Sequence, residues 1–431
     1  MLAVSSRPCG AADTPAKATH HKTVAASWRS RANIIAFENI EGILILKARI
    51  RAASHDTAGA FVLDTGAGYF ALDRVLARTL GVADDDGDST EIGTAHFPVD
   101  RLELGSAQID QVAPVITFDA NVIRQVSDRN VLGLLGQRIF ANQAILIDYR
   151  KKELALFSVD TLAESRAANV GPIEASRRAL EGALGKSAKP VRFRNAGDGK
   201  ILVRVRVANS QPSHPSDPLT MILDTGATKT VLFDHDLISA VPRYGAWPTL
   251  KGLSAPTLVG SADASLARVP RVEVAGGGAP VVSDQVDIAI IRSELAKALS
   301  DDVGERVHGL LGYSFLRRFR VAIDYPHQVL WLEPVPHTVD ERPYEYSHVG
   351  LQIERHAGEL RVVGVVAGSP AAHAGIVRGD VLTAIDRKDI TDAEVVTVSR
   401  ALEGPPGSSV RVTVRHEGEE RTVSLVRRRL L

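Results

Sequence analysis

Phe61-Val62-Leu63-Asp64-Thr65-Gly66-Ala67 is met again as Met221-Ile222-Leu223-Asp224-Thr225-Gly226-Ala227. Each copy is an apolar run that closes on Asp-Thr-Gly-Ala. Working outward, Val131-Leu132-Gly133-Leu134-Leu135-Gly136 answers to Val307-His308-Gly309-Leu310-Leu311-Gly312, and Ile147-Asp148-Tyr149 to Ile323-Asp324-Tyr325. Gly133 stands 15 residues before Asp148, and Gly309 stands 15 before Asp324. Three matches in one order, two of them at equal spacing, mark an internal duplication. Upstream, residues 42–50 and 199–207 both end in apolar/basic alternation, the period of a strand with one buried face. Each copy therefore reads as short strands punctuated by glycine turns, over residues 34–158 and 190–335. The second copy carries 16 extra residues between its Asp-Thr-Gly and its Gly-Leu-Leu-Gly. Leu295, Leu299 and Val303 fall at helical spacing there, which predicts a helix. Residues 159–189, rich in Ala, Arg, Glu and Ser, read as a solvated linker with some helix.

A single Asp-Thr-Gly reads as a turn after a strand. Two of them, in duplicated halves, allow equivalent lobes to bring Asp64 and Asp224 together on a pseudo-two-fold axis. Carboxylates at hydrogen-bond distance cannot both ionise cheaply, so they share one proton and titrate as a unit. Such a pair can hold a water. The ionised partner takes a proton from it while the protonated partner polarises a peptide carbonyl. The intermediate is a non-covalent gem-diol, and no nucleophilic Ser or Cys is needed. Gly66 and Gly226 let backbone approach the carboxylates. Thr65 and Thr225 offer short hydroxyls that can reach the opposite loop. Gly136 and Gly312 suit a tight chain crossing beneath each Asp loop. Asp148 and Asp324 lie at strand ends and read as turn caps.

In these motifs both copies resemble aspartic peptidases of the retropepsin-like bacterial kind, over about 34–335. The resemblance implies a mainly β chain in which two homologous acid-protease β-barrel lobes form a pseudo-dimer within one monomer. It implies Asp64 and Asp224 as the catalytic pair, supported by Thr65, Gly66, Thr225 and Gly226, with protein or peptide substrates and no metal or organic cofactor. Ala67 and Ala227 stand where pepsin-like enzymes usually carry Ser or Thr, whose hydroxyl favours the charged carboxylate. An acid optimum milder than pepsin's is expected. Gly68 stands where the second copy has Thr228, and a hydroxyl residue is commoner there in the family, so a looser first loop is expected. Flaps are expected near residues 92–96 and 252–261. One rival is a catalytically inactive peptide-binding scaffold built from the same lobes, which the intact motifs disfavour. Another is a dyad formed between chains. The linker of about 30 residues, spanning on the order of 30 Å, permits this, but tethering favours pairing within one chain.

Past Pro334-Val335-Pro336 the pattern changes. Ser369-Pro370-Ala371-Ala372, Ala374-Gly375-Ile376 and Gly379-Asp380-Val381-Leu382 are followed by a helical stretch at 393–402. Alternating strands at 410–414 and 422–426 then turn at Glu417-Gly418. Residues 346–427 closely resemble a PDZ domain, β with one or two short helices, in its bacterial strand order. The resemblance implies β-augmentation, in which a peptide C-terminus adds as a strand beside residues 351–354. Backbone N–H groups near Val349, Gly350 and Leu351 would hold its carboxylate. Gln352 and Ile353 follow along that strand, Gln352 as the candidate for peptide selectivity. The bland alternative is a domain that packs on the lobes and binds nothing. Arg427-Arg428-Arg429 reads as a solvated basic end.

Composition sets outer bounds. The chain has 431 residues, 45% apolar and 24% charged, which is globular. Lys plus Arg and Asp plus Glu are both 51, and a neutral chain is a poor partner for nucleic acid. A single cysteine, Cys9, excludes an intrachain disulfide and a thiolate metal cluster. No apolar run approaches the roughly 20 residues that cross a bilayer. Neither Gly-x-Ser-x-Gly nor His-Glu-x-x-His occurs, and the acidic run 84–88 has the wrong spacing for a calcium loop. Residues 1–33 read as a disordered tail or the remnant of a targeting segment. This chain shows no export signal, while the resemblance to bacterial PDZ proteases points to the periplasm or cell envelope.

Overall fold

The computed structural model describes residues 28–52, 55–81, 93–94, 98–157, 170–208, 218–233, 247–257, 260–276, 278–292, 294–336 and 342–431. The acidic run 84–88 and residues 1–27 lie outside these, as does the first expected flap apart from Gly93–Thr94. The chain is mainly β, with two β lobes and a C-terminal PDZ domain.

Each lobe is built on the strand that runs into Asp-Thr-Gly. In the first, His55–Leu63 has Ile43–Ala52 on one side, antiparallel, and Val131–Leu135 on the other, parallel, with Leu135 opposite Leu63. In the second, Leu219–Leu223 lies between Ile201–Ala208 and Gly309–Leu311, with Leu311 opposite Leu223. A strand flanked on both edges and covered on both faces reads as a continuous apolar run, and all five residues of Leu219–Leu223 are buried. The half-exposed Ile43–Ala52 instead alternates, its Lys47, Arg49 and Arg51 outward.

The two copies share a further sheet of antiparallel strands. Its order is Ala32–Ala36, Glu153–Phe157, Ala144–Asp148, Phe319–Asp324, Val329–Pro334 and Lys189–Arg192. At its centre Ile145 faces Ile323 and Ile147 faces Val321, so the duplicated Ile-Asp-Tyr strands lie side by side. Asp148 accepts from Lys151 N–H at 3.1 Å, and Asp324 from His327 N–H at 3.1 Å, both as turn caps. One apolar core runs through both lobes and includes Phe61, Leu63, Phe70, Leu223, Phe315 and Ile323.

Two stretches differ from the sequence reading. Residues 28–33, assigned to a disordered tail, are ordered. Trp28 stacks on Phe157 at 6.1 Å, Arg29 pairs with Glu153 at 2.9 Å, and Ala32–Ala36 extends the shared sheet. Nor are residues 170–188 solvated throughout: the expected helix is present and one face is buried. The helix Pro172–Ala179 buries Ala175, Ser176 and Ala179, and Leu180, Ala183 and Ala188 follow into the same cluster around Trp331. Trp331 donates its indole N–H to Ser176 Oγ at 2.9 Å, and the Arg177 guanidinium lies 4.3 Å from its ring centre. The small alanines let the helix sit close to the sheet. Burying a side chain the size of Leu180 contributes about 1.5–3 kcal/mol. The predicted helix of the second copy is present as Leu295–Val303, closed by Gly304 at φ +77°.

The PDZ domain has its own core, including Val349, Leu360, Val362, Leu382, Val398 and Leu402. Its main sheet runs Leu351–His356, Glu359–Val365, Val381–Ile385, Ser409–His416 and Glu419–Val426. Helices Pro370–His373 and Val395–Leu402 cover it, the first capped by Ser369 Oγ accepting from Ala372 N–H at 3.2 Å. The basic end is exposed at Arg428 and Arg429, as read, and is also paired. Arg428–Arg429 pairs with Ser347–His348, and Arg427 donates to the carbonyls of Ala401 and Leu402. No helix among the described residues is long and apolar enough to cross a membrane.

Candidate active site and PDZ groove

The strand register delivers both aspartates to one place. Asp64 N–H donates to Leu135 O, and Asp224 N–H to Leu311 O, each at 3.1 Å, so each Asp loop hangs on its own Gly-Leu-Leu strand. Asp64 Oδ1 accepts from Gly66 N–H at 2.9 Å and Ala67 N–H at 3.1 Å. Asp224 Oδ1 accepts from Gly226 N–H at 2.8 Å and Ala227 N–H at 3.1 Å. The two carboxyl groups lie close enough that each bears on the titration of the other.

Each glycine of the pair lies against the opposite carboxyl. A Cβ on Gly66 would fall 2.5 Å from Asp224 Cγ, and one on Gly226 would fall 2.7 Å from Asp64 Cγ. The threonines cross over in the same way. Thr65 N–H donates to Thr225 Oγ1 at 3.1 Å, and Thr225 N–H to Thr65 Oγ1 at 2.9 Å. Their hydroxyls donate onward, Thr65 to Leu223 O at 2.9 Å and Thr225 to Leu63 O at 2.8 Å. Both are buried, so these four bonds tie the loops to each other without water. Beneath them, side chains on Gly136 and Gly312 would run into the carbonyls of Tyr69 and Lys229, the chain crossing their positions suggested.

Two features escaped the sequence reading. One is what stands over Gly68. Asp198 of the other lobe occupies the space, and a Cβ there would lie 2.6 Å from its Oδ2. Gln137 is buried and its amide donates to Thr65 O. The second copy has Tyr313 in its place, so the repeat does not flag it. Lys200, also buried and paired with Asp198, places a positive charge that bears on Asp64.

Electrostatics separates the two carboxyls. Burial pushes the Asp224 carboxyl well above its ordinary range, and the charge of Asp64 pushes it further. Burial also raises Asp64. There it is opposed by the N–H groups of Ala67 and Gly66, the Asp224 carboxyl and the charge of Lys200. The two carboxyls therefore share one proton and titrate as a pair. Among the described residues no group of three or more His, Cys, Asp or Glu side chains is gathered as a metal would need. A cavity of about 940 Å³, lined by Lys229, Arg317, Arg342 and Glu345 among others, includes neither aspartate.

The PDZ residues are placed differently from a free peptide groove. Val349, Leu351 and Ile353 are buried in the domain core. Gly350, at φ +89°, lies tight against Ser369, and its N–H donates to His348 Nδ1 at 2.9 Å. Burial, with Arg342 and Arg427 nearby, pulls His348 down to about 4 and keeps its ring a neutral acceptor. Of the expected carboxylate-holding N–H groups, that of Gly350 is thus already engaged. Gln352 is engaged too. Ser254 N–H donates to Gln352 Oε1 at 2.9 Å, and Gln352 Nε2 donates back to Ser254 O at 2.7 Å. A side chain expected to read a peptide instead holds a strand of the second lobe, because a primary amide matches a backbone donor–acceptor pair. Leu351–His356 is the edge strand, paired only with Glu359–Val365 among the described residues. Helix Val395–Leu402 packs beside it, and helix Asn121–Ser127 of the first lobe lies against both.

Comparison with known proteins speaks to the last domain. The family model described as a PDZ domain matches residues 361–416. The chain is 35% identical over 71 residues to the chloroplastic carboxyl-terminal-processing peptidase 2 of Arabidopsis thaliana, covering 16% of this chain and 14% of that protein. It is 24% identical over 86 residues to a carboxy-terminal-processing protease of Bartonella bacilliformis, covering 20% of each. It is also similar to the crystal structure of the PDZ domain of a carboxy-terminal protease from Vibrio cholerae in complex with peptide. That match is 22% identical, with a TM-score of 0.18, and covers 19% of this chain and 92% of that one. The chain thus spans a fifth or less of the length of the curated relatives it matches, and the family model it matches is that of a PDZ domain.

Proposed function

We propose that this chain is an aspartic endopeptidase of the retropepsin-like kind whose PDZ domain binds peptide C-termini. The observation that carries the reading is the carboxyl pair, with its two faces matched bond for bond and its loops tied by the crossed threonines. The ionised member of the pair takes a proton from a water held between the carboxyls. The proton of the other member passes to the substrate's carbonyl oxygen as the water oxygen bonds to carbon, giving a gem-diol. In the second step a proton moves to the leaving nitrogen, the C–N bond breaks and the carboxylic acid forms. The catalytic groups all lie in this chain, which supports a dyad within one monomer over one between chains. Similarity of the last domain to peptidases that process C-termini supports the coarser part, a peptidase that handles peptide ends.

A peptide isostere with a secondary alcohol at the scissile position tests this directly, because its hydroxyl mimics one oxygen of the gem-diol. It should inhibit competitively, and an Asp224→Asn chain should lose that affinity. Hydroxylamine added during turnover should trap no acyl product. Trapped hydroxamate would replace this reading with a covalent mechanism.

A further inference from the structure

The first lobe occupies the PDZ groove, and the second lobe holds the strand pair beside it. From the first lobe, helix Asn121–Ser127 ends at Asp128, whose φ of +51° turns its carboxylate outward from the helix end. Asp128 Oδ2 accepts from Val395 N–H, the first residue of the groove helix, at 2.5 Å. Asp128 Oδ1 accepts from Arg355 Nε, on the edge strand, at 2.8 Å. One carboxylate thus bridges the two walls between which a peptide strand would lie. Arg129 adds an ion pair to Glu394 at 2.9 Å, and Val396 packs on the apolar cluster that contains Ile43, Phe118, Ile123 and Val126. From the second lobe, the hairpin Thr249–Thr257/Gly260–Val274 reaches the same strand pair. Besides the Gln352–Ser254 amide pair, Ala367 N–H donates to Lys251 O at 3.1 Å, and Arg378 lies 3.5 Å from Asp263. This hairpin contains the second of the two stretches expected to act as flaps, 252–261. Its residues 260–263 pair only with the other arm, beyond the sheet registered from Ala264 onward.

We propose that the PDZ domain is a latch, shut by Asp128 and opened by a peptide C-terminus, which releases the hairpin arms 249–257 and 260–274 and thereby raises peptidase activity. The regulatory half rests on the peptidase reading above; the mechanical half does not. A peptide strand added to Leu351–His356 needs the space and the edge that the first-lobe helix and Asp128 now use. Displacing them lifts the domain from the first lobe. Gln352 sits on that same strand, so the movement draws on the amide pair that holds Ser254. Binding at one site and freedom of the hairpin at another are then linked in both directions.

The test uses the full chain carrying Asp224→Asn, so that added peptides are not cleaved, and reads hydrogen exchange in residues 249–257 and 260–263. Asp128→Asn keeps a residue that tolerates positive φ while removing the charge that bridges Arg355 and Val395. Without any peptide it should speed hairpin exchange about fivefold, the low end of typical coupling. Arg355→Gln provides a second variant should the first disturb the lobe. Short fluorescein-labelled peptides with a free apolar C-terminus should bind Asp128→Asn more tightly than the parent and speed the same exchange in the parent. Their C-terminal amides should do neither. Gln352→Ala should free the hairpin and, by the same linkage, tighten peptide binding. Unchanged hairpin exchange in both latch variants, or peptide binding with no change in exchange, would overturn the latch. In chains with Asp224 intact, Asp128→Asn should raise kcat/KM about fivefold. Absence of turnover in every such chain would defeat the peptidase reading while the exchange results still decide the latch.

Discussion

Thr225→Val keeps the side-chain shape and deletes one hydroxyl. That hydroxyl accepts from Thr65 N–H at 3.1 Å and donates to Leu63 O at 2.8 Å. Thr65 is 0% and Thr225 1% exposed, so water cannot take over either bond. A buried polar group left without its partner costs about 1–3 kcal/mol, which puts two of them at about 2–6 kcal/mol. Part is recovered by relaxation of the loops, and a loss of about 3 kcal/mol is expected against a typical domain stability of about 5–15 kcal/mol. Because the same bonds fix the separation of Asp64 and Asp224, kcat should also fall by at least about tenfold. Urea unfolding followed by tryptophan fluorescence reads the first effect, and steady-state cleavage of a quenched peptide reads the second. Thr225→Ser restores the hydroxyl at the cost of one methyl group and should recover most of both. A valine variant within about 0.5 kcal/mol of the parent, the range of an inert surface change, would refute the role given to the crossed threonines.

Gly226→Ala places a methyl 2.7 Å from Asp64 Cγ and should lower kcat about a hundredfold with the circular dichroism spectrum unchanged; retained activity would contradict the close packing. Burial and the Asp64 charge raise the Asp224 carboxyl, so activity should fall as pH rises through that raised pKa, and fall again in acid where Asp64 takes up a proton. Ala67→Ser supplies a donor to Asp64 and should move the acid limb of kcat/KM to lower pH; a parental maximum already near about pH 2 would contradict the reading of the alanines. Glu345 is a fourth case: burial alone would raise its carboxyl, but Lys229 at 2.8 Å and Arg317 at 3.4 Å hold it down at about 2. A carboxyl lowered from 4.5 contributes stability that is present in full above the unfolded value and is lost as pH falls through about 2. The difference amounts to roughly 3 kcal/mol, so Glu345→Gln should be less stable than the parent at neutral pH and converge with it in strong acid.

The duplicated motifs made the centre of the molecule legible. Asp64, Thr65 and Gly66 recur with their counterparts in fixed order, so a local string carried long-range information. The Ile-Asp-Tyr strands were legible as strands, while the sheet that joins them across the copies was not. What the repeat could not flag were residues that break it. Gln137 faces Tyr313 in the alignment of the copies, and Asp198 fills the space above Gly68 from 130 positions away along the chain. Some helix was expected in 159–189, but the burial of Pro172–Ala179 was hidden by composition, since its buried face is alanine and serine rather than leucine. The PDZ domain was legible as a domain but not in its setting. Gln352 meets Ser254 and Asp128 meets Val395 across 98 and 267 positions, contacts that no local pattern encodes.

The most direct measurement compares the parent chain with Asp224→Asn on a diverse mixture of unstructured peptides, read by mass spectrometry from about pH 3 to about pH 8. A dyad of Asp64 and Asp224 predicts internal cuts, strongest in mild acid, that vanish in the variant. Identical cuts in both chains, or none from a folded parent even with C-terminal peptides added, would contradict it.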